Sequence, residues 1–344
     1  MKSDIASLFR SVSIAAAGLA ILLAGCGGSN LPSNAANGPA QPGVITEYTL
    51  GISSMNIPLS IAKGPDGNLW FTDNAPEIGR ITPNGTVSEF TQGFGKLTRT
   101  EDITAGPDGN LWFTDGASNS IGRITPSGVV TEFSSGISAY AGIRFITAGP
   151  DGNLWFTEVG ADKIGRITPS GVVTEFSSGI SAHAGLADIT AGADGNLWFT
   201  ESGLDRIGRI TPSGVVTEFA AGISPGAFPD GIAAGPDGNI WFTETEDSGI
   251  GGIGRITPGG TVTEFHSGIA PYSGPGAIAT GSDGNLWFTE SNADQIGRIT
   301  PSGIVTTFSY TLPDRASPFD ITPGPGGDMW FTMPGVDEIG RISV

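Results

Sequence analysis

Apolar and polar residues alternate in short bursts along most of this chain, and from position 43 onward one pattern returns at a nearly fixed interval. In DITAGADGNLWFTESGLDRIGRITPSGVVTEF, Asp188 to Phe219, four β-rich runs (ITAG, LWFTE, IGRIT and VVTEF) are separated by Gly, Pro and Asp clusters. Runs of that length, bounded that way, read as strands joined by hairpins. The Trp of the second run recurs at 70, 112, 155, 198, 241, 287 and 330, at intervals of 42, 43, 43, 43, 46 and 43. That is the period of a four-stranded propeller blade, so the pattern predicts an all-β, seven-bladed β-propeller. Asp194-Gly195 and Ser213-Gly214 supply the positive-φ positions that two tight turns in each blade require.

The first matching run is GVITEY (Gly43 to Tyr48), which has the pattern of a fourth strand, whereas the chain ends at IGRISV (Ile339 to Val344), the pattern of a third. The last blade therefore lacks its own outer strand. The N-terminal strand is expected to supply it, closing the ring and removing open sheet edges. Loops from strand two to three and from blade to blade lie on one face of such a ring, and the other two turns lie opposite. The GPDGN and TPSG turns hardly vary, while the other face varies and carries an insertion around Thr245 to Gly252. Ligand contacts are expected on the variable face.

Composition narrows the chemistry. With 34 acidic and 16 basic residues the formal charge is −18, so a phosphate backbone meets a repelling surface and nucleic acid is excluded as a partner. One Cys and two His rule out a disulfide framework and a zinc site of Cys and His ligands. Most of the acids also recur once per blade, as do Arg80, Arg123, Arg166, Arg209, Arg255, Arg298 and Arg341, which read as bridges between strands or blades. The repeated Asp-Gly turns lack the alternating carboxylates of a calcium loop.

The N-terminal 25 residues carry Lys2 and Arg10, then an apolar run from Ile14 to Ala24 that is too short to span a bilayer, and so read as an export signal. The run closes on Leu23-Ala24-Gly25-Cys26, which resembles a bacterial lipobox and makes Cys26 the candidate lipidation site. An ordinary signal peptide cleaved near Ala24 is the alternative. Residues 26–42 then form the lipidated Cys and a flexible tether, GGSNLPSNAANGPAQP after the Cys, with a root-mean-square reach of roughly 20–24 Å; residues 43–344 form the propeller. Gly27, rather than Asp, after the Cys points to the outer membrane or cell surface, with the membrane engaged through the anchor only and the protein monomeric.

Two rings of non-repeating residues remain. Met55, Leu97, Tyr140, His183, Gly226, Tyr272 and Arg315 align on the blade-to-blade connections, and Leu59, Glu101, Arg144, Ala187, Asp230, Gly276 and Phe319 align just before each first strand. The ligand-binding candidates are Glu101, Tyr140, Arg144, His183, Asp230, Tyr272 and Phe319, which offer charge, hydrogen bonds and aromatic faces to a small molecule, peptide or protein. Covering of loop backbone by the outer ring, and simple pairing of Glu101 with Arg144, are the plain alternatives. No metal ligands and no catalytic residues are assigned.

The repeat GPDGNLWFTE…IGRIT…G.VTEF resembles the virginiamycin B lyase (streptogramin lyase) family over all seven blades and the closing strand. The resemblance implies an Mg²⁺-dependent elimination that opens a cyclic depsipeptide, with a His in Pro-His-x-Ile just before the first strand of each of the last two blades. Those positions hold Gly276 and Phe319, and the two family Glu positions hold Ser317 and Met333. Elimination needs a base for the proton and an acid for the leaving oxygen, and neither Phe nor Met nor Gly can exchange a proton. The expectation is a propeller that binds or interacts without the family's reaction. The alternative is a lyase-like or hydrolytic activity carried by channel-mouth carboxylates, with Mg²⁺ only in the lyase case.

Overall fold

A computed structural model describes residues 43–49, 57–95, 99–245, 249, 251–308 and 312–344; Cys26, the signal, the tether, Met55 and Leu97 lie outside them. The described residues form seven four-stranded antiparallel sheets. Blade four shows the plan, with strands Leu186–Ala191, Leu197–Glu201, Arg206–Ile210 and Val216–Phe219 paired in order. The seven first strands touch one another in a closed circle, which makes them the inner wall of the ring. Ile45–Thr49 pairs antiparallel with Glu338–Ile342, matching Ile45 with Ile342 and Tyr48 with Ile339, so the N-terminal strand is the outer strand of the last blade as the repeat requires.

Every Trp is fully buried, and each sits in an interface between neighbouring blades. Trp155, for example, packs against Ile189, Leu197, Phe199 and Ile210 of the next blade. Within its own blade each ring stacks on the outer-strand aromatic, as Trp155 does on Phe176 with centroids 5.4 Å apart. The third-strand Arg covers both rings and, in the first five blades, donates onward to a Pro carbonyl of the following blade, Arg166 to Pro212 at 3.0 Å. These Arg are bridges between blades. The Trp indole N–H donates to the turn Asp four residues earlier, Trp155 to Asp151 at 3.0 Å. Only the last blade departs, because Gly326 occupies the Asp position and leaves the Trp330 Nε1 buried without a partner.

A second belt lies nearer the axis. Thr200, in the second strand, accepts the Asp188 N–H of its own blade at 3.0 Å and donates to the Asp230 carbonyl of the next at 2.7 Å. Thr72, Thr114, Thr243, Thr289 and Thr332 donate in the same way to the carbonyls of Glu101, Arg144, Gly276, Phe319 and Leu59. The last contact runs from blade seven to blade one and closes the circle. Because the acceptor is always the residue two before the first-strand Ile, the belt holds the backbone of the candidate ring in place.

Deleting residues 43–49 is expected to abolish cooperative thermal unfolding and to produce aggregation in size-exclusion chromatography. Trp155→Ala is expected to cost about 3–5 kcal/mol in denaturant titration, and Thr200→Val about 1–3 kcal/mol, since it strands a buried N–H and a buried carbonyl.

Candidate functional site

Six of the seven inner strands begin with a bulge. In blade four Leu186 faces Glu201 and Ile189 faces Phe199, so three steps on one strand match two on the other. The extra residue re-aims the two side chains at the strand start. The first of the pair is the charged or apolar residue singled out from the sequence. The second, one step closer to the axis, is Ser60, Asp102, Phe145, Asp188, Gly231, Ala277 or Asp320.

The three aspartates of this second ring form a polar cluster that the sequence reading passed over. Asp102 accepts the N–H of its own Ile103 at 2.9 Å and that of Ile146 in the next blade at 2.7 Å. Asp188 does the same with Ile189 and Ile232, and Asp320 with Ile321 and Ile61. Each carboxylate thus joins two blades where the chain has one. The signal was available: Asp-Ile-Thr opens these three blades and no others. Ser60 Oγ lies 2.6 Å from Asp102 Oδ1 and 2.8 Å from Asp320 Oδ2. A hydroxyl has one hydrogen to give, so one of the two contacts requires a proton on the carboxyl side. Consistently, burial and the neighbouring Asp320 push Asp102 up to about 7, and burial followed by repulsion from Asp102 raises Asp188 well above the usual range.

Around this cluster stand Glu101, Arg144 and Asp230. Burial raises both carboxyls, and the Arg144 charge moderates both. Arg144 lies over the Phe145 ring at 5.0 Å, and no ion pair ties it to either acid among the described residues. No direct Glu101–Arg144 ion pair forms; Arg99 and then Arg144 moderate Glu101, and Arg144 alone moderates Asp230. Phe319 is 41 % exposed beside them.

The outer ring occupies one backbone position in every blade where it is described. Tyr140, His183, Tyr272 and Arg315 have φ of 59°, 60°, 62° and 68°, a left-handed conformation uncommon for residues other than Gly. Neighbouring loops hold it: Asp162 accepts the His183 N–H at 2.9 Å, Asp294 the Arg315 N–H at 2.8 Å, and the Gly249 carbonyl the Tyr272 N–H at 2.9 Å. Asn119 Oδ1 accepts the N–H of Ala141, next to Tyr140. The result is a set of side chains projected from clamped turns into solvent, with Tyr140 92 % and Tyr272 72 % exposed. Tyr140 also borders a shallow open cleft of about 540 Å³ with Gly116, Ala117 and Asn119. No hydrogen bond joins Tyr140, His183, Arg144 and Asp230 to one another among the described residues; the structure places two of them on the rim and two at the mouth.

Beneath the variable face the acids that end the second strands are buried: Asp73, Asp115, Glu158, Glu201, Glu244 and Glu290. Glu158 faces Glu175, whose charge is held by Lys163 at 2.6 Å and by Ser138 Oγ at 2.7 Å. Burial first, then Glu175, pushes Glu158 up to about 8. Glu201 reaches about 8 in the same way, against Glu218 and its partner Arg206. Both are therefore carboxylic acids at neutral pH, and the proton of each is available to the charged glutamate beside it. Met333 takes the equivalent place in the last blade, fully buried in a cluster with Trp287, Ala316 and Ile321. No group of three or more His, Cys, Asp or Glu among the described residues has the geometry to hold a metal ion.

A profile of the Virginiamycin B lyase family matches residues 39–177 and 101–344. Selenomethionine-substituted virginiamycin B lyase from Staphylococcus aureus is 36 % identical, with a TM-score of 0.79 over 88 % of this chain and 99 % of that one. A catalytically inactive histidine-to-alanine variant of the same enzyme with quinupristin gives 36 % identity and a TM-score of 0.80 over 88 % and 99 %. A streptogramin B lyase structure gives 33 % and 0.79 over 87 % and 97 %. No curated protein sequence matches.

Acids whose folded pKa is raised stabilise the fold fully below the ordinary carboxylate range and lose that contribution as pH climbs through the folded value. Glu158, Glu201, Asp73 and Asp102, pushed up to about 8, 8, 7 and 7, set this window from near 4.5 to about 8. The turn acids such as Asp151, held low by their hydrogen bonds against the cost of burial, contribute stability above the ordinary carboxylate range and lose it only on acidification below that range, outside this window. Melting temperature is therefore expected to fall steadily from pH 5 to pH 9, and Glu158→Gln, which keeps a donor toward Glu175 but cannot ionise, to flatten the slope.

Proposed function

The chain belongs to the virginiamycin B lyase family, and from that premise we propose that it is an exported, lipid-anchored propeller that binds a ligand on its variable face instead of opening streptogramin rings. One observation carries this reading: the positions at which the resemblance implies histidines hold Gly276 and Phe319. Around them the scaffold is intact. The Gly276 carbonyl is engaged by Thr243 at 2.6 Å, and a Cβ at Gly276 meets Thr289 Oγ1 at 3.1 Å. Met333 replaces an acid with apolar core. Elimination needs one group to take a proton and another to protonate the leaving oxygen, and these positions supply neither.

The magnesium ion that the resemblance implies does not fit these residues either. A hard cation asks for several oxygen ligands, and Gly276, Phe319 and Met333 present no side-chain oxygen, leaving only the hydroxyl of Ser317. The axial aspartates are committed to backbone N–H groups.

What the variable face offers is recognition. Exposed Tyr140, Tyr272 and Phe319 stand around a mouth carrying Glu101 and Asp230, with Arg144 and Arg315 as the local cations and His183 on the same rim. Aromatic faces beside carboxylates suit a ligand with apolar and cationic parts, such as a basic amphipathic peptide. Export follows from the Ile14–Ala24 run and the Leu-Ala-Gly-Cys sequence that ends on Cys26. No helix among the described residues is long and apolar enough to cross a membrane.

In a thermal-shift and calorimetric screen, a cationic amphipathic peptide is expected to bind, and Tyr140→Ala with Tyr272→Ala to weaken it about tenfold. Quinupristin incubated with Mg²⁺ and the protein is expected to stay intact by mass spectrometry. Linear product at turnover rates, lost in His183→Ala, overturns the binding reading in favour of a lyase.

A further inference from the structure

The invariant face, opposite the candidate site, carries features that neither the fold nor ligand binding uses. After the Gly of each turn between third and outer strands stands a β-branched residue. Val129, Val172, Val215 and Ile304 are 61–65 % exposed there; Thr86 and Thr261 hold the position in blades one and five. In the last blade the position falls on Val44, 56 % exposed, at the start of the closing strand. The equivalence is structural: Gly43 abuts Phe308 just as Gly128 abuts Phe90 and Gly171 abuts Phe133, each against the outer-strand aromatic of the preceding blade. The chain between Cys26 and the propeller therefore joins it on this face, beside one member of the aliphatic ring.

Charge divides the same way. The turn Asp on this face pairs with the third-strand Arg of its own blade, Arg80 with Asp66 at 3.7 Å and Arg341 with Asp328 at 3.6 Å, and four further blades repeat the contact. In blade four the Arg209 charge likewise holds Asp194 down, after its hydrogen bonds to Asn196 and Trp198. These pairs cancel, so the surplus of 34 acids over 16 bases is carried elsewhere in the chain. An anionic bilayer surface repels unpaired acids but not a face on which each carboxylate has an arginine beside it.

We propose that the invariant face is a membrane-docking surface: the ring of Val44, Val129, Val172, Val215 and Ile304 rests on the lipid interface beside the anchor and turns the ligand face away from it. Each aliphatic side chain contributes little alone. A tether of roughly 20–24 Å raises the effective concentration of the surface to the millimolar range, so weak contacts suffice to orient the domain. The proposal rests on the anchored reading of Cys26, and its test separates the two.

The test uses the full mature chain coupled through Cys26, its sole Cys, to a maleimide lipid in phosphatidylcholine vesicles doped with a photoactivatable phosphatidylcholine. Cross-links are mapped by mass spectrometry. Labels are expected on peptides containing Val129, Val172, Val215 and Ile304 and not on those containing Tyr140 or Tyr272. Replacing those four aliphatic residues by Ser, all at exposed positions, is expected to cut labelling about tenfold while coupling and melting temperature hold. Labelling of the tyrosine face, uniform labelling, or a ring-dependent dimer in analytical ultracentrifugation overturns the proposal, the last in favour of a second copy as occupant. Intact mass of the chain recovered from a bacterial host reports separately whether Cys26 is lipidated; an unmodified Cys26 with ring-specific labelling defeats the anchor and leaves the docking face standing.

Discussion

A blade has two faces and must bury both, and the hydroxyl of the second-strand Thr is what makes that burial directional. It takes an N–H from its own blade and gives its hydrogen to a carbonyl of the next, which removes two polar backbone groups from a place water does not reach. The Trp wedge behind it supplies apolar area but little register. Threonine supplies the register, and because its acceptor is the residue at the mouth of the channel, the geometry of the candidate site is inherited from the way blades are joined.

Acidity is handled by two opposite devices. On the invariant face the turn Asp residues of the first six blades are kept charged, each held by an indole N–H and an Asn with an Arg close by, as Asp151 is. Beneath the variable face Glu158 and Glu201 are kept neutral, each buried against a second, charged glutamate. A buried ion is costly unless paired, and protonation is the cheaper course where no cation is near. A chain with so large an excess of acids folds because the acids nearest its core are paired or protonated.

The frame of the site is shared with lyases of 33–36 % identity, and the positions at which the resemblance implies two histidines and two glutamates hold Gly276, Phe319, Ser317 and a buried Met333. Function on such a scaffold is set by the loops and inner-strand starts, which change without disturbing the belt beneath them.

Periodicity alone determined the architecture. The Trp interval, the hairpin punctuation and the mismatch between first and last runs require seven blades and a borrowed strand, because those features are local in sequence and repeat. The burial of the Trp and the bridging role of the Arg were legible for the same reason. What the tertiary structure decided depends on register and on neighbours remote in the chain. The bulge at the start of six inner strands moves the axial position one residue along, so that Asp102 and Asp188, with Asp320 at the matching position of the last blade, each join two blades while Glu101, Arg144 and Asp230 stand one residue before that ring. Likewise, whether a glutamate such as Glu158 carries a proton follows from burial beside Glu175 on another strand, and no linear pattern encodes that distance.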